Sequence, residues 1–437
     1  MAANTLAHRK LRAPAEQRRG LYRVYIAVLC GQFVLTSGHL NLPVDAETSN
    51  LLQRGAQVAF LLAAIILGLA LDWYGKRQLA LNYAALSVLA VIAYCFCGAF
   101  WTDDPAAVLS TTLLLAVSTF SAFICERHIG LLGTLRLMRT ACLALCLASV
   151  LLVALVPSFA ISDSYFWKGA WLGVFVAKNG LGYAASYLVA LSGMMLLFCR
   201  KTRTDIFSLL LGLSVCIGAD SRGALLVALS VLLFLVLLRA RIIGSIAIVL
   251  IAVAYLALLI LFNSGIIVSI EGDYLQVGDL SIHLNRTDIW SYAMSLFLER
   301  PWLGYGLGAG WEGERADIFY NRFGWVLDNF HSGYIRALVE LGLLGAILIF
   351  IGLGITLLRA IRTYHASRGN SLPALATAYV TMFLASNVTE TYLLRSTDVK
   401  QFVFTIVALS IWRQYEVRHL LPRKASRKAQ PPAAQIA

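Results

Sequence analysis

The stretch Asp328-Asn329-Phe330-His331-Ser332-Gly333-Tyr334-Ile335-Arg336-Ala337-Leu338-Val339-Glu340-Leu341-Gly342-Leu343-Leu344-Gly345 decides how this chain is read. Its first six residues close a long polar segment and place a histidine just before an apolar run that continues to Leu358. Such a run is as long as a bilayer-spanning helix, which takes about 17–25 residues. A polar residue at this position commonly does no more than cap the helix or meet the headgroups. The polar groups gathered around His331 in the rest of the chain point instead to a reaction centre.

Working outward, further apolar runs cover 22–38, 57–72, 79–100, 106–124, 140–156, 181–199, 206–218, 223–238, 242–262, 373–389 and 399–415. Apolar residues make up 59% of 437 positions, well above the roughly 45–50% of a soluble domain. Mean hydropathy is +0.75. The runs have helical length, and no alternating ten-residue pattern of a β-barrel occurs. The expected fold is an all-α integral membrane protein with about twelve transmembrane helices.

A net charge of +13 would suggest nucleic acid in a soluble protein. Here most basic residues sit in short loops, where they orient the chain, so membrane lipids and not nucleic acid are the expected surroundings. Lys76, Arg77, Arg127, Arg136, Arg139, Arg200, Lys201, Arg203, Arg239, Arg241, Arg359, Arg362 and Arg368 fall on the side of the N-terminus, which is read as cytoplasmic. No small-residue cleavage site follows the first run, so it is taken as a retained span. The expected organisation is a cytoplasmic tail (1–21), transmembrane helices one to nine (22–262), a large outside loop (263–332), helices ten to twelve (333–415) and a cytoplasmic tail (416–437).

Within the loop, Ile266 to Leu284 mixes β-branched residues with Gly and Asp and is compatible with short strands or irregular structure. Asp288 to Leu298 reads as a helix rich in Trp290, Tyr292, Met294 and Phe297, suited to the membrane surface. Pro301 ends it, and Gly304, Gly306, Gly308 and Gly310 follow. A dinucleotide fingerprint needs a strand before the glycines and a helix after them, so these are read as backbone bending closely around a helix end or a ligand.

The eight cysteines lie in or beside apolar runs and imply neither a disulfide framework nor a metal cluster. Cys142 and Cys146 share a helix face but lack further ligands. The outside face has no carboxylate pair suited to Mg²⁺ or to glycosidase chemistry, so no metal and no cofactor is expected. The sequons at Asn285 and Asn387 are discounted as chance matches.

Three basic groups converge on the outside face. Asp220-Ser221-Arg222-Gly223 forms a tight turn between two short spans, Arg286 opens the loop helix, and His331 precedes the tenth span. A planar guanidinium fork suits a phosphate diester or diphosphate. A lone interfacial arginine usually snorkels or binds headgroups, but the small residues beside Arg222 leave room for a headgroup. Lys178, with Asn179, and Arg395 are weaker candidates, as is Lys400, since interfacial anchoring explains them about as well.

Ser221-Arg222-Gly223, Arg286 with Trp290, Pro301 with Gly304, Gly306 and Gly308, and His331-Ser332 with Gly342 and Gly345 occur in an order and spacing that resembles the O-antigen ligases of the O-antigen ligase and polymerase superfamily. The resemblance runs from about residue 170 to 345. It implies a GT-C-like membrane glycosyltransferase of the bacterial inner membrane whose active site faces the periplasm. The partners it implies are an undecaprenyl diphosphate-linked O-antigen as donor and the lipid A-core as acceptor, with neither metal nor nucleotide sugar.

The residue chemistry is compatible with that implication. An isoprenyl diphosphate leaving group needs electrostatic stabilisation, which preorganised Arg222 and Arg286 would supply. The acceptor hydroxyl must lose a proton, and a histidine such as His331 takes one up near neutral pH. An O-antigen polymerase shares the histidine motif, as does a protein O-oligosaccharyltransferase. The latter is expected to carry sequence beyond a basic tail such as Arg423 to Lys428. A polysaccharide or lipid transporter would place ionisable residues mid-membrane and break helices in related halves, whereas the spans here read as nearly free of charge.

Overall fold

A computed structural model describes residues 2–42, 44–75, 83–164, 167–240, 274–277, 280–283, 286–311, 313–323, 329–367 and 371–419. Local chemistry explains where several helices begin. Asp104 accepts the backbone N–H of Ala107 at 2.9 Å ahead of Pro105, starting Pro105–His128. Thr202 and Asp205 form a reciprocal capping box that starts Arg203–Gly218. Ser332 receives Ile335 N–H at 3.5 Å and starts Gly333–Ala366.

Among the described residues, seven helices are long and apolar enough to cross a membrane: Glu47–Tyr74, Pro105–His128, Gly130–Leu155, Lys178–Phe198, Arg222–Arg239, Gly333–Ala366 and Ser371–Thr389. Helices Ala2–Leu35, Tyr83–Cys97, Arg203–Gly218 and Val399–His419 overlap four more of the expected runs. The run at 242–262 lies outside the described residues. The protein is thus a helical, multi-pass membrane protein. Its described strands form one antiparallel hairpin, Tyr274–Val277 with Leu280–His283, in the part of the loop compatible with strands.

The Lys178 helix sits at the centre, with 83% of its most apolar window buried, and the penultimate helix Ser371–Thr389 follows with 72%. Small residues permit this: Gly182 lies against Ser221, and the position a Cβ would take at Gly212 is 3.0 Å from Ala185 O. Tyr187, Tyr379 and Tyr392 form an aromatic seam, and Tyr187 OH is 2.9 Å from Ser386 Oγ. Outer helices leave Ile66, Leu151, Leu233 and Ile351 exposed. In lipid such side chains incur no cost.

Hydrogen bonds join the loops into two groups. In one, Asn41 N–H donates to Val174 O, Trp171 N–H to Gly218 O, Val399 N–H to Thr36 O and Gly333 N–H to Glu390 O. Thr102 Oγ1 donates to Tyr305 O at 2.6 Å in the same group. In the other, Asp72 pairs with Arg127, Glu126 with Arg413 and Arg139 with Asp205.

The helix opened by Gly333 does not run unbroken through Gly342, as the apolar pattern suggests. Gly342 has φ 62° and ψ −172° and splits it in two. The break frees backbone groups that the glycine-containing loop satisfies. Tyr305 and Gly306 donate to Val339 O and Glu340 O at 3.1 and 2.7 Å, and Leu343 and Leu344 donate to Pro301 O and Trp302 O at 2.7 and 3.2 Å. Tyr94 OH covers Leu341 O at 2.8 Å. A break at membrane depth is tolerable when protein supplies partners in this way. Gly304, Gly306 and Gly308 all have positive φ. Their loop bends around the helix break, in line with the close bending read from the sequence.

The loop helix Arg286–Glu299 is less interfacial than its composition suggests. Ile289, Tyr292, Ala293 and Leu296 are buried in a small core with Trp311, Phe319, Phe330 and Val339, leaving Met294 and Leu298 exposed.

Candidate active site

His331 is held by its backbone. It adopts φ 47°, uncommon for a non-glycine residue, and its N–H donates to Asn329 Oδ1 at 2.8 Å. Thr391 Oγ1 donates to the same oxygen at 3.2 Å. This Asx-type turn sets the imidazole at the mouth of the broken helix. Behind it, Gly333 lies directly against Asn387. Asn387 Oδ1 in turn accepts Tyr392 and Leu393 N–H at 3.0 and 2.7 Å, so the discounted sequon is a buried structural asparagine.

His331 Nδ1 is buried without a hydrogen bond, and Glu390 Oε2 stands 3.5 Å away. The two side chains retain 21% and 12% of their surface exposed. A carboxylate beside one ring nitrogen fixes the ring's orientation and leaves the other nitrogen for a ligand. Glu390 was not singled out in the sequence, because one acid at a span boundary has no periodic signature. Its place immediately after the run 373–389 was the available signal.

Arg222 is the first residue of its helix and is exposed. The turn before it is strained, with Asp220 at φ 45°. Lys178 pins that turn, donating to Asp220 O at 3.1 Å and pairing with Asp220 Oδ2 at 3.2 Å. Ser221 Oγ donates to Asn179 Oδ1 at 3.2 Å. Lys178 and Asn179 therefore hold the Arg222 turn in place. Tyr183 links this turn to the histidine: its hydroxyl is 3.2 Å from the position a Cβ would take at Gly223 and 2.7 Å from Thr389 Oγ1, next to Glu390.

Arg286 opens the loop helix, as expected. One turn on, Trp290 Nε1 donates to Phe330 O at 3.1 Å, which joins that helix to the residue before His331. Arg395 turns to His39, its Nη2 3.2 Å from Nε2. Lys400 is buried, donating to Ser37 O at 2.9 Å and pairing with Asp398 at 3.2 Å. These contacts tie the first span to the last loop and give Lys400 a structural role.

At the rim, Arg300 and Arg315 both reach Asp103, at 2.8 and 3.4 Å, and lie 4.7 and 4.5 Å from the centre of the Tyr305 ring. The hydrogen bond from Arg300 holds the Asp103 carboxyl below its ordinary range, and burial together with the bond to Glu299 raises the Tyr305 hydroxyl. No group of three or more metal-binding side chains occurs among the described residues.

The fold thus brings an arginine turn, a loop helix and a histidine at the mouth of a broken helix together in a helical membrane protein. A family model described as O-antigen ligase matches residues 207–350, a match that supports membership of the O-antigen ligase superfamily. The chain is 27% identical over 328 residues to the exopolysaccharide production protein ExoQ of Rhizobium meliloti (strain 1021), covering 68% of this chain and 70% of that protein.

Proposed function

We propose that this protein is a glycosyltransferase that moves O-antigen polysaccharide from undecaprenyl diphosphate to the lipid A-core oligosaccharide, at the periplasmic face of the bacterial inner membrane. The observation that carries this is the placement of His331, with Nδ1 toward Glu390 and the Arg222 turn linked through Tyr183 to Thr389, the neighbour of Glu390. Arg222 and Arg286 hold the donor diphosphate and stabilise the charge that grows as it leaves. His331 takes the proton of the acceptor hydroxyl as that oxygen attacks the anomeric carbon. Glu390 orients the imidazole and stabilises its charged form. On this reading residues 1–21 and 416–437 face the cytoplasm, and 263–332 faces the periplasm.

The similarity to an exopolysaccharide production protein favours a second reading within the same chemistry, a polymerase whose acceptor is another glycan chain. A deletion strain separates the two on a lipopolysaccharide gel. Loss of all capped core supports the ligase, core bearing one repeat supports the polymerase, and an unchanged pattern overturns both. Translocation is less well supported, although the described residues include a broken helix, because loop backbone satisfies the groups that the break frees.

A further inference from the structure

The imidazole of His331 and the carboxylate of Glu390 sit on two separate segments, and one side chain ties those segments together. Asn329 Oδ1 accepts the N–H of His331 at 2.8 Å and the hydroxyl of Thr391 at 3.2 Å. Thr391 directly follows Glu390. A single oxygen therefore joins the backbone that carries the ring to the neighbour of the carboxylate, across 62 positions in the chain. A carboxamide oxygen has two lone pairs, and here both are engaged.

The tie matters because His331 is strained. Its φ of 47° is left-handed, and such a conformation persists only where the surrounding structure fixes it. Two residues on, Gly333 N–H donates to Glu390 O at 3.0 Å, so backbone alone already brings the segments close. The N–H of His331 itself goes to Asn329, and the Asn329 oxygen is steadied by Thr391. Thr391 is 2% exposed, which keeps water from competing for its hydroxyl. The ring and the carboxylate are 3.5 Å apart, at the outer edge of hydrogen-bonding distance. At that separation a small rotation of either segment decides whether the two groups meet.

We propose that Asn329 and Thr391 are positioning residues of the transfer reaction, a bridge that sets the separation of His331 and Glu390. This rests on the proton uptake assigned to His331 above. Neither residue needs to touch donor or acceptor. Thr391 steadies the Asn329 carboxamide, and Asn329 fixes the backbone of His331. The ring is thereby kept where Glu390 stabilises its charged form as it takes the acceptor proton. Without the bridge the left-handed turn relaxes and the ring moves off Glu390. The reaction then slows, while donor binding, assigned to Arg222 and Arg286, is unaffected.

The test uses the full chain in nanodiscs, with undecaprenyl diphosphate-linked O-antigen as donor and lipid A-core as acceptor. Thr391→Val removes the hydroxyl at nearly constant shape and leaves Asn329 Oδ1 bonded to His331 N–H. Its kcat should fall by about tenfold or more, toward the roughly 10²-fold that a misplacement of about 1 Å can cost. The KM for donor should stay near wild type, and Thr391→Ser, which keeps the hydroxyl, should restore kcat. In a Glu390→Gln background Thr391→Val should cost much less, because the alignment it disturbs no longer matters; a purely structural role would give additive losses. Asn329→Ala, which removes the shared acceptor, carries the same test if Thr391→Val does not fold. A wild-type kcat in the folded variants, or additive losses with Glu390→Gln, would overturn the bridge and leave the transfer reaction standing. Failure of the wild-type protein to transfer glycan would overturn both.

Discussion

His331 Nδ1 and Glu390 Oε2 face each other at 3.5 Å across the junction of the broken helix and the penultimate helix. If the imidazole takes the acceptor proton, His331→Ala should lower the transfer rate by about 10²–10⁴-fold while donor binding persists. His331→Gln keeps a hydrogen-bonding group without the proton uptake, so it should lack the acidic fall of the wild-type rate profile. Glu390→Gln should lower kcat by less than His331→Ala and leave the donor KM unchanged. A near wild-type rate in the His331→Gln variant would reduce the histidine to a positioning group. Single-turnover measurements with defined donor and lipid A-core would decide.

Asp103 supplies a control for that pH profile. Its carboxyl is held below the ordinary range, chiefly by Arg300. Its tie to the loop is therefore in place above the ordinary carboxylate pKa and is lost only as pH falls through the lowered value. Asp103→Asn should leave any rate change between pH 5 and 8, roughly the range in which histidines titrate, where it is in wild type. A displaced limb in this variant would mean that the rim, and not His331, sets the profile.

Lysine should replace arginine poorly at positions 222 and 286, since a point charge cannot reproduce the bidentate fork. Each variant should fold as wild type does and lose transfer at limiting donor. Full activity of both Arg222→Lys and Arg286→Lys would show that a planar clamp is not required there. Thermal unfolding of the purified proteins provides the stability control.

Gly342→Ala should be among the most damaging single-methyl changes in the chain. Its φ of 62° is left-handed, and the added Cβ would meet the carbonyl of Trp302. With ψ −172° this is a conformation essentially confined to glycine, so the conformational cost is about 1–3 kcal/mol, and overpacking adds about 1–3 kcal/mol. The loop 301–306 should detach, lowering the unfolding temperature and opening the loop to protease. Gly352→Ala in the same helix, where a Cβ meets nothing within 4 Å, is the matched control and should be silent.

A cysteine introduced at Arg222 should react with a membrane-impermeant thiol reagent added from outside, because that side chain is exposed on the face assigned to the periplasm. Cys97 is exposed and must first be changed to serine. Labelling only after the inner membrane is broken would reverse the orientation and remove the periplasmic reaction with it.

Much of this was present in the sequence because lipid imposes a one-dimensional code. Helices must satisfy their own backbone and present apolar side chains, so runs such as 106–124 and 373–389 mark helices directly. His331 and Arg222 stand out in the sequence because polar residues at run boundaries are unusual, and Arg286 because it stands at the start of the loop helix. Tertiary structure alone decided what depends on partners distant in the chain. The break at Gly342 exists because residues 301–306 supply hydrogen bonds that the helix gives up. Glu390 meets His331 because Asn387 and Gly333 bring two helix ends together. Lys178 became a support for Arg222 through a turn 42 residues away. Spacing along a chain carries no record of such contacts, since they arise only when packing closes the distance.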